Sequence, residues 1–390
     1  MGMLMNLEQS GSTRVDWEST ENHVFLNPRL PRGPAQELLD LLEAFAADFQ
    51  GHLFLLSSGT TAQSTHDLKW IALSKEAFLA SAAAVNQHLQ SGSSDRWLHS
   101  LPDFHVGGLS IWARSHLSGA SVVKKEGWNP LGFVEQVKTQ QVTLASLVPT
   151  QVFDLVQARF QAPESLRALF VGGGALAIEL YERALELGWP LLPTYGMTEA
   201  GSQIATAPLP EPSRRLSELQ VLRHFEVRLS PEGLLQLKGP SLLSAMILRG
   251  PERKPQRVDF QKGEWFQTQD RASIQGRSLQ ILGRVGDFVK IGGESVEMAR
   301  LRDLFESLRL ELGIEKDVAL IPVPDARLGH VIHAMGEEGL TDLEVDLLSH
   351  QYHSQVLAFE KIRKWHRLSV LPRTSLGKLI YSECIQKISF

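Results

Sequence analysis

Apolar residues recur along this chain in two rhythms. Ala35–Phe49 places Leu38, Leu39, Leu41, Leu42, Phe45 and Phe49 at helical spacing, the signature of an amphipathic helix. Ser74–Leu89 repeats the pattern with Phe78, Leu79, Ala82, Val85 and Leu89, and Ser74 stands where an N-cap belongs. Between them, Phe54–Thr61 (FLLSSGTT) is an apolar run that stops in small hydroxyl residues, so it reads as a buried strand opening into a loop. Short apolar runs at Trp97–Leu101, Ala120–Val123, Val142–Val148, Leu166–Val171 and Leu191–Leu192 read as further buried strands, with helices expected over Gln151–Phe160 and Ile178–Leu187. Strands alternating with helices imply an α/β fold with a largely parallel sheet covered on both faces.

The rhythm changes from about Leu216. HFEVRLSPEGLLQLKGP reads as a hairpin turning at Pro231–Gly233, and Gly263–Ile281 supplies more short strands, so a β-rich subdomain is expected to extend the sheet. Beyond Gly286 come a helical pattern over Val296–Leu312 and a strand over Val318–Val323. The expected division is a large domain over residues 1–285 and a small α+β domain over 286–390. Residues 1–34, rich in proline and without periodicity, are expected to form an irregular arm.

Composition narrows the function classes. The chain has 390 residues, 43% hydrophobic and 21% charged, with a net charge of −5, which is ordinary for a globular protein and gives no basic surface for nucleic acid. A single cysteine, Cys384, excludes an intrachain disulfide and favours a reducing cytoplasm. No stretch approaches the roughly 18 apolar residues of a membrane span, and the N-terminus lacks the apolar segment of a secretory signal.

Several clusters carry chemistry. In the hydroxyl-rich loop, Ser57, Ser58, Thr60 and Thr61 offer donors and Gly59 lets backbone amides approach an anion, so the loop is either an ordinary turn or a polyphosphate cradle. Gly172–Gly174 allows close backbone approach to a flat ring. In Thr194–Glu199 a sharp bend is expected at Gly196, presenting the Thr198 hydroxyl and the Glu199 carboxylate together. Asp270 after Thr268 offers an acceptor for two vicinal hydroxyls, and Arg284 a fixed fork of donors. His350 and His353 have no third metal ligand in view and are read as solvated.

In this order FLLSSGTT, PTYGMTEAG, Thr268 with Asp270, GRVGDFVKIGG and PRTSLGK resemble the core motifs of the adenylate-forming superfamily of acyl- and aryl-CoA ligases, adenylation domains and luciferases. The resemblance runs from about Leu53 to about Ile380. It implies ATP, Mg²⁺ and coenzyme A as reactants, small-molecule partners only, and a mobile C-terminal lid. By resemblance Ser57–Thr61 holds phosphate, while Gly172, Gly173, Gly174, Thr194, Tyr195, Gly196 and Met197 line the nucleotide pocket. Thr198 contacts phosphate, Glu199 holds Mg²⁺, Asp270 binds ribose, and Arg284 makes a second ribose or phosphate contact. Lys378 bridges the reacting carboxylate and the α-phosphate, Gly286 serves as hinge, and Lys290, Gly292 and Gly293 line the pantetheine tunnel. A homodimer is compatible with this reading.

Within the superfamily, LPDFHVGGLSIW and its companions over Leu101–Thr206 are similar to the o-succinylbenzoate–CoA ligases of menaquinone biosynthesis. That similarity implies that His105 gates the substrate channel, that Gly107, Gly108, Leu109 and Ser110 line the aromatic-acid site, and that Ser202 and Gln203 close its far end. Arg114 is a candidate cation for the second carboxylate. Two departures stand out: the N-terminal region is shorter than the family's, and Ala62–Leu68 intervene before Lys69, the nearest candidate for the loop's lysine. Other aryl- or fatty-acyl-CoA ligases, or a non-catalytic nucleotide- or acyl-binding relative, remain open at this point.

Overall fold

The computed structural model describes residues 6–7, 15–30, 32–57, 68–174, 176–209, 219–250, 254–285, 288–291, 294–325, 327–374 and 379–388. The helices among them, in chain order, are α1 (Arg32–Ala46), α2 (Lys75–Leu89), α3 (Val106–Ser118), α4 (Pro130–Thr139), α5 (Pro149–Gln157), α6 (Ile178–Glu186), α7 (Met298–Glu311), α8 (Asp342–Gln355) and α9 (Tyr381–Ile388).

An 11-stranded sheet organises the molecule. One half is parallel, built from Ser121–Lys124, Arg96–His99, Leu144–Leu147, Ala168–Val171 and Leu191–Met197 in that spatial order. The Leu144–Leu147 and Ala168–Val171 strands are buried throughout, as a sheet covered on both faces requires. After Met197 the chain reverses into Ser202–Thr206, and the sheet continues antiparallel into the β-rich part, where Phe266–Gln275 pairs with Ser278–Arg284. The helix starting at Ser74 forms as expected, with the Ser74 hydroxyl accepting from the Ala77 amide at 3.0 Å.

Two expectations need correction. The arm over residues 1–34 contains a strand, His23–Phe25, paired in parallel with His52–Ser57 at the core of a second sheet. Its three residues are too few for a periodic signal, yet all are buried. The second concerns Gly196, which sits in an extended strand and makes no bend. A glycine is needed there because a Cβ would stand 2.0 Å from the Ser202 carbonyl oxygen. The reversal falls at Gly201, whose φ of 65° is left-handed.

A third sheet lies wholly beyond Phe288 and is packed by α7 and α8 on one face and α9 on the other. Its contact with the large sheet runs through α7. Leu310 is buried among the residues that cover the parallel strands, its carbonyl accepts from Arg183 Nη2 at 3.0 Å, and Ser307 Oγ donates to Glu179 at 2.5 Å.

Candidate active site

Ligand sites of parallel sheets lie beyond the carboxyl ends of the strands. Here those ends are His99, Lys124, Leu147, Val171 and Met197, and the motif residues gather at them. Gly172 follows the Ala168–Val171 strand with no room for a side chain, because a Cβ would meet the Thr194 hydroxyl at 2.5 Å. Thr194 donates to the Val171 carbonyl at 3.3 Å, so the glycine turn and the neighbouring strand form one wall.

Tyr195 carries that wall to the β-rich part. Its hydroxyl donates to Asp270 Oδ2 at 2.6 Å, and Asp270 Oδ1 lies 3.7 Å from Arg284 Nε on the adjacent strand. Burial, reinforced by the Asp270 charge, holds the phenol well above its ordinary pKa, so it stays protonated and donating. The Thr268 hydroxyl accepts from the Asp270 amide at 3.0 Å and fixes the backbone there.

Glu199 lies in the short turn after Met197 and is largely buried. Its carboxylate is 2.9 Å from the ammonium of Lys69, which opens the strand paired with His52–Ser57. Ser57 and Lys69 face each other across that pair, so the two ends of the hydroxyl-rich loop meet beside Glu199. A buried carboxylate already holding a cation fits the donor chemistry of a Mg²⁺ ligand.

The residues expected to line the acid site gather at the start of α3. His105 caps the helix, its amide bonded to the Pro102 carbonyl at 3.1 Å. Gly108 is required by close approach, since a Cβ would stand 2.2 Å from the Pro102 oxygen. Leu109 turns into the core against Phe78 and Leu73, and the Ser110 hydroxyl is spent on the Gly107 carbonyl at 3.0 Å. One turn further, Arg114 is 1% exposed, with its guanidinium 5.4 Å from the ring centroids of both Trp97 and Phe170. Its Nη2 donates to Ser202 Oγ at 3.3 Å, and no carboxylate among the described residues pairs with it. Burial pulls its pKa down to about 9. Ser81 Oγ, Asn86 Oδ1, Trp97 Nε1 and Arg114 Nε are buried without partners among the described residues, and Ser202 is held at a φ of 122°. Gln203 accepts from Thr206 at 2.9 Å.

The structure thus joins Tyr195, Asp270 and Arg284, sets Thr194 beside Gly172, pairs Glu199 with Lys69 and brings Ser202 to Arg114. Ser58, Gly59, Thr60, Thr61, Gly286, Gly292, Gly293 and Lys378 lie outside the described residues, and Lys290 is described by its backbone alone, in the Phe288–Ile291 strand. The sequence reading gave Trp97 and Phe170 no role at the site. The spacing of Gly107, Ser110 and Arg114 places all three on one helix face and could have pointed to the arginine's pocket.

Residues 50–230 match the family model of AMP-binding enzymes. The chain is 29% identical over 340 residues to a 2-succinylbenzoate–CoA ligase of Bacillus licheniformis, covering 84% of this chain and 68% of the relative. The Bacillus subtilis enzyme of the same name is 29% identical over 322 residues, covering 77% of this chain and 63% of the relative. Among solved structures, the Bacillus subtilis o-succinylbenzoate coenzyme A synthetase in complex with ATP and magnesium superposes with a TM-score of 0.71 at 25% identity, covering 85% of this chain and 69% of that one. The same enzyme with its acyl-adenylate intermediate gives a TM-score of 0.79 at 22% identity over 93% of this chain and 83% of that one, a likeness of fold. With an AMP-binding match over residues 50–230 and these relatives over most of its length, the chain is similar to the AMP-binding, adenylate-forming enzymes.

Proposed function

We propose that this chain is an AMP-forming acid–CoA ligase that converts o-succinylbenzoate to o-succinylbenzoyl-CoA, a step of menaquinone biosynthesis, by way of an acyl-adenylate. The observation that carries the acid assignment is Arg114. A buried cation with no carboxylate partner among the described residues is satisfied by a substrate carboxylate remote from the reacting one. The rings of Trp97 and Phe170 flank the guanidinium, surroundings that suit an aromatic diacid.

In the first half-reaction the reacting carboxylate attacks the α-phosphorus of ATP and pyrophosphate leaves. Asp270, oriented by Tyr195 and Thr268, accepts the ribose hydroxyls, and Arg284 supports it. Thr198 contacts phosphate, and the Ser57–Thr61 loop encloses the polyphosphate. Glu199 holds Mg²⁺, which neutralises phosphate charge when bound, and Lys69 takes the place of the lysine usual in this loop. The ammonium of Lys378 offsets the negative charge that builds at phosphorus.

In the second half-reaction the coenzyme A thiolate attacks the acyl carbon, the carbon–oxygen bond to AMP breaks, and AMP departs. The domain of residues 286–390 swings about Gly286 between the two steps. Two anchor points support this. The Phe288–Ile291 strand, which carries Lys290, pairs with the Gly329–Glu337 strand at Gly329, whereas Leu371 and Arg373 are tied to Glu337 and Asp317. Eight residue steps separate those two anchor points, about 26 Å at strand spacing, which favours a separate orientation for each half-reaction. His105 gates the acid channel, Gly107 and Gly108 let the acid approach α3, and Ser202 and Gln203 close its far end.

The same reading takes the enzyme as cytoplasmic, supported by its lone cysteine, and as a homodimer, which light scattering on the purified chain decides. Among the described residues no helix is long and apolar enough to cross a membrane. Pyrophosphate–ATP exchange tests the first half-reaction: it should require o-succinylbenzoate and Mg²⁺, and exchange that ignores the acid would overturn the assignment.

A further inference from the structure

Asp103 has no part in the nucleotide site or the arginine pocket, yet three segments converge on it. It lies in the turn Leu101–His105, and its Oδ1 accepts from Trp112 Nε1 at 2.7 Å. The same oxygen is 2.8 Å from His99 Nε2. His99 ends its parallel strand and is buried, and Trp112 lies in the second turn of α3. One carboxylate therefore ties the strand end, the turn and the helix together. The rings of His99 and Trp112 are 5.0 Å apart, and Lys124, ending the neighbouring strand, sits 5.1 Å over the indole.

The turn has little freedom to absorb a displacement. The His105 amide is bonded to the Pro102 carbonyl, and Gly108 is pressed against the same oxygen. A shift of Asp103 is thus transmitted to His105 and to the first turn of α3. Burial disfavours the Asp103 charge, but the close approach of His99 and the Trp112 hydrogen bond outweigh it and keep the carboxyl below its ordinary pKa. An ionised acceptor makes stronger bonds than a neutral one, which suits a clamp.

We propose that Asp103 is a positioning residue of the acid site, holding His105 and the start of α3 against the end of the His99 strand so that the acid wall is preset before substrate binds. The inference rests on the proposed reading of this half-site as the acid pocket. Preorganisation of this kind acts on affinity for the acid and leaves the ATP half-site alone, because Tyr195, Glu199 and Asp270 hang on other strands.

Asp103→Ala and Asp103→Asn test it. The asparagine keeps an acceptor for Trp112 and loses the charge. In Asp103→Ala the KM for the acid should rise about tenfold with the KM for ATP unchanged, and Asp103→Asn should recover most of the loss. An activity-independent readout comes from protein labelled with ¹⁵N-tryptophan. The Trp112 indole resonance, assigned by its loss in Trp112→Phe, should move in Asp103→Ala and hold its place in Asp103→Asn. Equal rises in both KM values, or an unmoved resonance in Asp103→Ala, overturns the proposal. If the unmodified chain ligates no acid, the functional reading fails instead, and the resonance with calorimetric binding of o-succinylbenzoate to the two variants then decides the clamp.

Discussion

Replacing Arg114 by methionine separates the two demands placed on that residue. The guanidinium is 1% exposed and faces two rings and one hydroxyl. Lowering its pKa from the ordinary guanidinium range to about 9 corresponds to on the order of 5 kcal/mol of unfavourable burial at neutral pH. The sign follows from linkage: the folded state holds this proton more weakly, so the penalty is full below about pH 9 and fades only as pH climbs toward the ordinary guanidinium range. Methionine keeps an apolar stem between the rings of Trp97 and Phe170 and removes the penalty, so Arg114→Met should melt no lower than the parent chain. Substrate binding should behave oppositely. Removing one partner of a buried charge pair costs about 2–5 kcal/mol, or roughly 30- to 5,000-fold in kcat/KM for o-succinylbenzoate. Benzoate, with no second carboxylate, should lose almost nothing. Thioester formation followed on both acids, beside a thermal melt, gives the comparison. Equal losses on the two acids, or a melt lowered by several degrees, would refute the reasoning, because Arg114 would then be a packing residue.

Three further outcomes are expected. Lys378→Ala should cut adenylation about 100-fold or more while sparing thioester formation from preformed adenylate, measured as two separate half-reactions; loss of both alike would count against the domain swing. Gly108→Ala forces a Cβ to within 2.2 Å of the Pro102 oxygen, so the turn must shift, with about 1–3 kcal/mol lost in a denaturant melt and a raised KM for the acid. Asp95 is pushed up by burial, but hydrogen bonds from Arg167, Gly92 and Thr143 outweigh this and bring its pKa to about 2. Its stabilising share is therefore full above about pH 4 and lost as pH falls toward 2, and Asp95→Asn should flatten the acid-unfolding curve in that window.

The parallel half of the large sheet was legible because its strands are continuous apolar runs separated by helices, a pattern set by burial on both faces. Ser74 could be read as a cap because N-capping needs only a local hydroxyl. His23–Phe25 escaped because a three-residue strand borrows its order from the Leu53–Leu55 backbone, a tertiary debt that no local period records. Gly196 was identified as a required glycine for the wrong cause: a bend and a close backbone approach both exclude a side chain, and only the structure tells them apart. Tyr195 and Asp270 were each singled out, but their hydrogen bond joins residues 75 apart in the chain and could not be seen in either motif. Arg114 was legible as a charge; that it is buried without an anion depends on Trp97 and Phe170 arriving from two other strands.

Thioester formation with ATP, Mg²⁺, coenzyme A and o-succinylbenzoate, run beside benzoate and a medium-chain fatty acid, tests the central claim most directly. The account predicts strong preference for o-succinylbenzoate, with AMP and pyrophosphate released in equal amounts. Preference for either of the other acids would contradict the assignment of Arg114, and no turnover of any acid would contradict the ligase itself.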